Sequence, residues 1–401
     1  MKTIKDPVHG YISVDQRVLP LLDSPQVQRL RYIRQLGFSH MVYPGANHTR
    51  FEHSLGTMHL AGILARSLKL TDPDVLLSMV SGLLHDIGHG PFSHATESLI
   101  EKYLGRSHHE VGYMICGEEL GGAIERLGLE PNDVCEMIEG RHELSGIIHG
   151  ELDVDRMDYL MRDAHYTGVP YGTVDAQRLI HSTTMSGSGL VLRDSGIIAA
   201  ESLLIARTLM RPTVYFHHVS RIAETMVKTA AERYLESAGT TRAECLLALD
   251  DGSFCVEIMS SECESASSLM KDLLKRKLYK RSIYAGIDQV RYSSILRRPE
   301  QIDEKRIAAQ IAESAGIDEH HVLVDIPPFP SPMSIEVMVE NRNDLVSLEK
   351  MSPLVNTLND TRKTQWRMGV YTLPEYRRIV EDAGREVLNI GKPTKQNKLN
   401  I

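Results

Sequence analysis

Seven histidines crowd the segment between residues 53 and 109, and no other feature of the 401-residue sequence constrains its fold so strongly. His53, His59, His85, His89, His94 and His108, with His109 adjoining, fall in a stretch whose apolar residues recur at helical spacing. Imidazoles held on several rigid helices can converge on one point, as a metal site requires. His85 and Asp86 end an apolar run carrying Val75, Met79, Leu83 and Leu84, and Gly88, Gly90 and Pro91 break that run. A lone His-Asp pair at a helix end is ordinarily an exposed cap. The surrounding histidines, and glycines that let ligands approach closely, favour a metal centre instead.

The chain reads as mainly α: a helical core with a short β-hairpin, followed by a smaller α+β C-terminal lobe. Expected boundaries are 1–240 for the core, with its metal-binding part at about 48–165, and 241–401 for the lobe. Helices are expected from Pro25, capped by Ser24, to Leu36, and over Phe51 to Leu70, Asp74 to His85, Ser93 to Leu104, Leu152 to Ala164 and Arg207 to Tyr234. Residues 190–199 read as a hairpin turning at Asp194-Ser195-Gly196. In the lobe, a helix is expected at Asp303 to Ala315 and strands at His321 to Ile326, Ser334 to Val339 and Trp366 to Thr372. A helix then opens at Pro374, and the proline-rich run at 327–332 is a stiff linker or turn.

Composition excludes several classes. With 42% hydrophobic and 24% charged residues the chain can bury a large core. A net charge of -8 argues against stable nucleic-acid binding. Five cysteines without CxxC spacing suit free thiols in a reducing cytoplasm. No apolar run approaches the roughly 20 residues of a membrane span.

His53, His85 and Asp86 supply three metal ligands of mixed N/O character, a set suited to Fe, Mn, Zn, Ni or Co. A fourth, acidic ligand should come from ELDVDRMDYLMRDAHYTG at 151–168. There Asp155, Tyr159 and Asp163 share one helix face, and on periodicity Asp153 and Asp158 are alternatives. His94 and Glu97, three apart, form a histidine–carboxylate pair suited to proton transfer.

HTRFEH at 48–53, GLLHDIGHGPFSH at 82–94 and DVDRMDYLMRD at 153–163 resemble the signature of HD-superfamily hydrolases, closest to the dNTP triphosphohydrolase branch. The likeness runs from Asp6-Pro7-Val8-His9-Gly10 to YFHHVSRIAETM near 215–226, and weakly to the basic run at 275–281. It implies Asp155 as fourth ligand, and Mg, if present, on the nucleotide's phosphates. It implies His94 as general acid with Glu97, where some relatives have Asp. His89 and His109, with Glu110, would complete the phosphate-facing group, and either histidine is an alternative acid. Arg50, Arg156 and Arg207 would meet phosphate oxygens. Gln35 and Asp163 would bind the 3′-hydroxyl, Leu36 and Tyr215 would crowd C2′, and Tyr159 would stack near sugar or base.

Regulated members bind an activating nucleotide between subunits. Asp23, Gln28, Arg31, Arg276 and Lys280 resemble parts of that site, although Lys5 and Ser195 depart from it. A homo-oligomer, dimer or tetramer, is implied. The expected reaction yields deoxynucleoside and inorganic triphosphate. The competing readings are an HD phosphodiesterase or 5′-nucleotidase acting on another nucleotide, and a non-catalytic nucleotide sensor.

Overall fold

The computed structural model describes residues 2–187, 189–290, 302–333, 337–341 and 344–391. Contacts divide the chain into two units that interleave along the sequence. The first holds Met1–Tyr215, Thr241–Phe254 and Met333–Leu358; the second holds Phe216–Thr240, Cys255–Pro332 and Asn359–Ile401. The architecture is a mainly helical HD-like core followed by a smaller α+β region with short sheets.

In the first unit, strands β1 (Lys2–Asp6) and β2 (Gly10–Val14) pair antiparallel, with Asp6 opposite Gly10. Helix α1 (Arg50–Ser67) opens with Glu52 accepting the Thr49 backbone N–H at 2.7 Å. Helix α2 (Asp72–Leu84) starts after Thr71 with proline in its first turn. Helix α3 (His94–Leu104) follows the glycine-rich break, and α4 (Val154–Thr167) is capped by Asp153, whose carboxylate accepts the Arg156 N–H at 2.8 Å. Met58, Val80, Leu83, Leu84, Ile87, Val154, Met157 and Leu160 are fully buried in one apolar core. Each such side chain contributes about 1.5–3 kcal/mol on leaving water.

Three expectations are corrected. The helix expected from a Ser24 cap and Pro25 to Leu36 starts as expected but is helical only at Pro25–Arg29, then tightens to a 3-10 turn at Leu30–Tyr32 and becomes extended at Ile33. Backbone pairing explains this: Ile33 C=O accepts the Arg50 N–H, and the Gln35 N–H reaches His48 C=O, both at 3.0 Å. Next, the hairpin lies earlier than expected, between β3 (Thr183–Ser186) and β4 (Gly189–Arg193). Asp194–Gly196 instead forms the lead-in to helix α5 (Ile197–Met210), whose Ala199, Ala200, Leu203, Leu204 and Ala206 are buried at helical spacing. Lastly, the helix expected over Arg207–Tyr234 is split by a wide turn at Arg211–Tyr215, before α6 (His218–Ala238). The strand Met338–Asn341 runs parallel to β4 and antiparallel to Asp344–Ser347. Residues 334–336 of the expected strand lie outside the described residues.

In the second unit, Lys280–Gly286, Arg367–Thr372 and Val322–Asp325 form an antiparallel sheet with Arg367–Thr372 at its centre. Helices α7 (Glu304–Ala315) and α8 (Arg377–Val387) share a core with it through Ile311, Val380, Ile283, Val324, Trp366 and Val370. The proline-rich segment is held on this core: Trp366 Nε1 donates to Pro327 C=O at 2.8 Å, and Phe329 stacks on the indole. Among the described residues, no helix is long and apolar enough to cross a membrane.

Candidate metal centre and active site

Three elements bring together the donor atoms of His53, His85 and Asp86, with Asp155 beside the two histidines. His53 on α1 and His85 at the end of α2 face each other with Nε2 atoms 3.3 Å apart. Asp86 Oδ1 lies 3.3 Å from His85 Nε2, and its Oδ2 lies 3.8 Å from His53 Nε2. Asp155 Oδ1, from the first turn of α4, is 2.9 Å from His53 Nε2 and 3.6 Å from His85 Nε2. Donors about 2.0–2.2 Å from a transition-metal ion stand roughly 3–3.5 Å from one another, so this spacing fits such an ion. His53, His85 and Asp86 form a buried His/His/Asp cluster consistent with a divalent transition metal.

The imidazoles are fixed from behind. His85 Nδ1 donates to Gly82 C=O at 2.8 Å, which leaves Nε2 facing the cluster. His53 Nδ1 meets Asp158 Oδ2 at 2.7 Å. Burial alone would depress His53, but the Asp155 and Asp158 carboxylates outweigh it and hold the ring up at about 10. Positive charge is therefore favoured at this point, as a cation would supply it.

Asp86 also receives Arg50 Nη1 at 2.7 Å, and Arg50 Nε donates to Ser93 Oγ at 2.7 Å. Ser93 in turn donates to Arg34 C=O at 2.9 Å. This ties the glycine-rich break to α1, and the break is strained, with Phe92 at φ 55° and Ser93 at φ 53°. Buried Asp251 holds the strained turn by accepting the Phe92 N–H at 2.7 Å and the Arg34 N–H at 3.1 Å. Gly88 has no room for a side chain, because a Cβ there would overlap His108 C=O.

Burial pushes Asp251 up to about 6, although the two N–H donors oppose it. The native state then holds this proton more tightly than the unfolded chain does. Its contribution to stability therefore falls as pH rises from about 4 to about 6, by on the order of 3 kcal/mol. Asp251→Asn should remove this slope. The difference in thermal midpoint between variant and wild type, followed from pH 4 to 6.5, checks it.

The remaining histidines extend from the cluster. His89 Nε2 lies 3.4 Å from Asp86 Oδ1, and its ring stacks on His108 at 4.0 Å. Burial, with Arg50 and His108 beside it, pushes His89 well below the ordinary histidine range. His109 is lowered to about 4 by burial and by His108 and His149, so it is neutral at pH 7. His94 is 69% exposed and meets Glu97 Oε2 through Nδ1 at 3.1 Å. His108 Nδ1 pairs with the other Glu97 oxygen. Burial works against the Glu97 carboxylate, but His108 and His94 outweigh it and hold it below the usual range. Glu110 is exposed and accepts the Ser107 N–H, so the structure does not bring it to the cluster.

Tyr159 and Asp163 follow Asp155 along one face of α4. Tyr159 is 6.5 Å from His53 and 6.2 Å from Tyr215, between ring centroids. Tyr215 Oη donates to Asp163 Oδ2 at 2.8 Å, and His48 Nε2 meets Asp163 Oδ1 at 2.8 Å. Gln35, joined to His48 through the backbone, has its buried Oε1 without a hydrogen bond among the described residues, as does Arg50 at Nη2. Leu36 packs against the apolar core. Arg156 pairs with Asp153, and Arg207 with Glu151 at 2.8 Å. Gln28 accepts from Arg31 at 2.8 Å and donates to Leu22 C=O, and Asp23 ends the preceding turn. Arg276 and Lys280 belong to the second unit.

His48, Ser93 and Glu151 lie inside the quoted motif segments but carry no role in the sequence reading, and Asp251 lies outside any motif. Asp153 and Asp158 were alternatives for the fourth ligand; in the structure Asp153 caps α4 and Asp158 faces the far nitrogen of His53.

A model of the HD domain matches residues 50–163, and one of the HD-associated region matches 174–399. The chain is 36% identical to the uncharacterized protein MJ1154 of Methanocaldococcus jannaschii, over 94% of this chain and 80% of that one. It is 31% identical to the deoxynucleoside triphosphate triphosphohydrolase SAMHD1 of Gallus gallus, over 70% of this chain but only 56% of that protein. A hypothetical protein from Aquifex aeolicus has a crystal structure that superposes with a TM-score of 0.76 at 29% identity, covering 95% of this chain and 99% of its own.

Proposed function

The chain belongs to the HD superfamily of metal-dependent phosphohydrolases, and we propose that within it the protein hydrolyses deoxynucleoside triphosphates to deoxynucleoside and inorganic triphosphate. The carrying observation is a pair of buried polar atoms without hydrogen bonds among the described residues, Arg50 Nη2 beside the cluster and Gln35 Oε1 beyond it. Each costs about 1–3 kcal/mol if left unmet. A phosphate oxygen suits the first and a sugar hydroxyl the second. The likeness to SAMHD1 supports the same substrate class.

His53, His85, Asp86 and Asp155 would hold a divalent ion, which when bound would supply Lewis-acid chemistry toward a phosphoryl oxygen and lower the pKa of a water. Arg50, with Arg156 and Arg207 drawn from their carboxylate partners, balances charge on the phosphoryl oxygens. Neutral His89 and His109 offer hydrogen bonds without adding fixed charge. Water oxygen bonds to the α-phosphorus as the bond to O5′ breaks. Glu97 holds His94 by Nδ1, so Nε2 delivers the proton to O5′. Gln35 and Asp163 take the 3′-hydroxyl, with Tyr159 beside the sugar and Leu36 and Tyr215 closing the space at C2′. Glu110, set apart from the cluster, closes the turn that carries His108 and His109. Asp23, Gln28 and Arg31 would contact an activating nucleotide in a dimer or tetramer, and Arg276 and Lys280 are separate candidates for such contacts.

A panel of dNTPs and NTPs with Mn, Co, Fe or Mg, each with and without added dGTP or GTP, tests this by product mass. Triphosphate is the expected product; pyrophosphate or monophosphate would point to a nucleotidase or phosphodiesterase, and no turnover of any nucleotide to a sensor. Tyr215→Ala should reduce the preference for dNTP over NTP by about 10- to 100-fold, because its clash with a 2′-hydroxyl is removed. Competing-substrate assays of kcat/KM check that value.

A further inference from the structure

His53 is held by a buried assembly that reaches the N-terminal hairpin. Asp158 is fully buried, so water cannot steady its carboxylate where it meets His53 Nδ1. Arg162, one turn along α4, grips both its oxygens at 2.9 Å through Nε and Nη2. The third guanidinium nitrogen, Nη1, donates to Asp6 Oδ2 at 2.8 Å. Asp6 Oδ1 accepts the N–H groups of Val8 and His9 at 2.9 and 2.8 Å, which shapes the turn between β1 and β2. That turn aims His9 Nε2 at Asp158 Oδ1, 2.6 Å away. Helix α1 is cut back to admit the assembly: a Cβ on Gly56, one turn after His53, would overlap Asp158 Oδ1 and press on Arg162 Nη2. Glycine in a helix interior is destabilising by about 0.5–1 kcal/mol relative to alanine, so its presence here reflects space rather than propensity.

We propose that Asp6 and His9 of the N-terminal turn are positioning residues for the metal centre, acting through Asp158 on His53. An imidazole that binds through Nε2 must keep its proton on Nδ1, and the acceptor of that proton sets the ring's tautomer and angle. His9 fixes the Asp158 oxygen that Arg162 shares, so the hairpin sets how firmly His53 is aimed. This rests on His53 being a ligand, which the test examines separately.

Co(II) titration of the 401-residue chain, followed by calorimetry and by the visible ligand-field bands, provides a readout independent of turnover. Wild type should bind Co(II). His9→Leu should weaken binding about 10- to 100-fold and shift the bands, whereas His9→Gln, whose amide can donate to Asp158, should recover most of the affinity. Asp6→Asn keeps an oxygen for the Val8 and His9 amides and should lie between them, and Gly56→Ala should match or exceed His9→Leu. Thermal midpoints of the metal-free proteins separate simple destabilisation from misalignment. Unchanged Co(II) affinity in folded His9→Leu and Asp6→Asn would overturn this proposal alone; no Co(II) binding by wild type would overturn the metal reading with it.

Discussion

Asp86→Ala is expected to yield protein with little bound metal and activity reduced by more than about 100-fold, since changing mere supporting partners of ligands already costs 10- to 100-fold. Two separate losses combine in this variant. The cluster loses the carboxylate that faces His85 and His53, leaving two imidazoles and Asp155. Arg50, only 2% exposed, loses the partner of its Nη1. An uncompensated buried charge costs about 3–5 kcal/mol, so the thermal midpoint should also fall by about 10 °C. Asp86→Asn divides the two effects, because its amide oxygen still accepts from Arg50 while its negative charge is gone. Metal content measured by elemental analysis should be low in both variants, and the midpoint should drop much further in the alanine variant. Equal metal content in Asp86→Ala and wild type would refute the role of Asp86.

Helices α2 and α4 were legible because apolar residues recur at helical spacing and Thr71 and Asp153 cap their starts, whereas α1 is buried on nearly every side and Ser93 makes no side-chain cap for α3. The segment after Arg29 was not, since its pattern continues while its backbone leaves the helix. Ile33 and Gln35 bond to Arg50 and His48, and a long-range pairing of this kind overrides local propensity. The return of residues 333–358 to the first unit was equally hidden, because a parallel pairing such as β4 with Met338–Asn341 leaves no mark on the intervening sequence. At the site, ligand types were readable, but the duties of three neighbouring aspartates were not. Asp153, Asp155 and Asp158 differ only in helical phase, and the start of α4 decides which one caps, which faces the two histidines and which lies behind His53. Asp251 could not be found at all, since its partners are backbone N–H groups far away in sequence.

Arg162→Met should produce the largest loss of stability among substitutions that touch no candidate ligand. Methionine fills much of the same space, so packing changes little, while Asp158 and Asp6 lose the cation they share. Both carboxylates are buried, and breaking such an assembly from one side costs about 3–5 kcal/mol. Arg162→Lys should recover only part of this, because one ammonium cannot reproduce three guanidinium contacts to two carboxylates. The pH dependence provides a further check. In wild type, burial works against the Asp158 carboxylate, but Arg162, then His53 and His9, outweigh it and hold it well below the ordinary range. A depressed carboxylate contributes stability above its unfolded value of about 3.9, and that contribution is lost as pH falls toward the folded value. Without Arg162, Asp158 takes up a proton more readily in the folded state. The gap between variant and wild type should therefore be widest near pH 7 and narrow toward pH 4, as denaturant unfolding across that range can measure; a gap constant with pH would show that Arg162 acts through packing and not through charge.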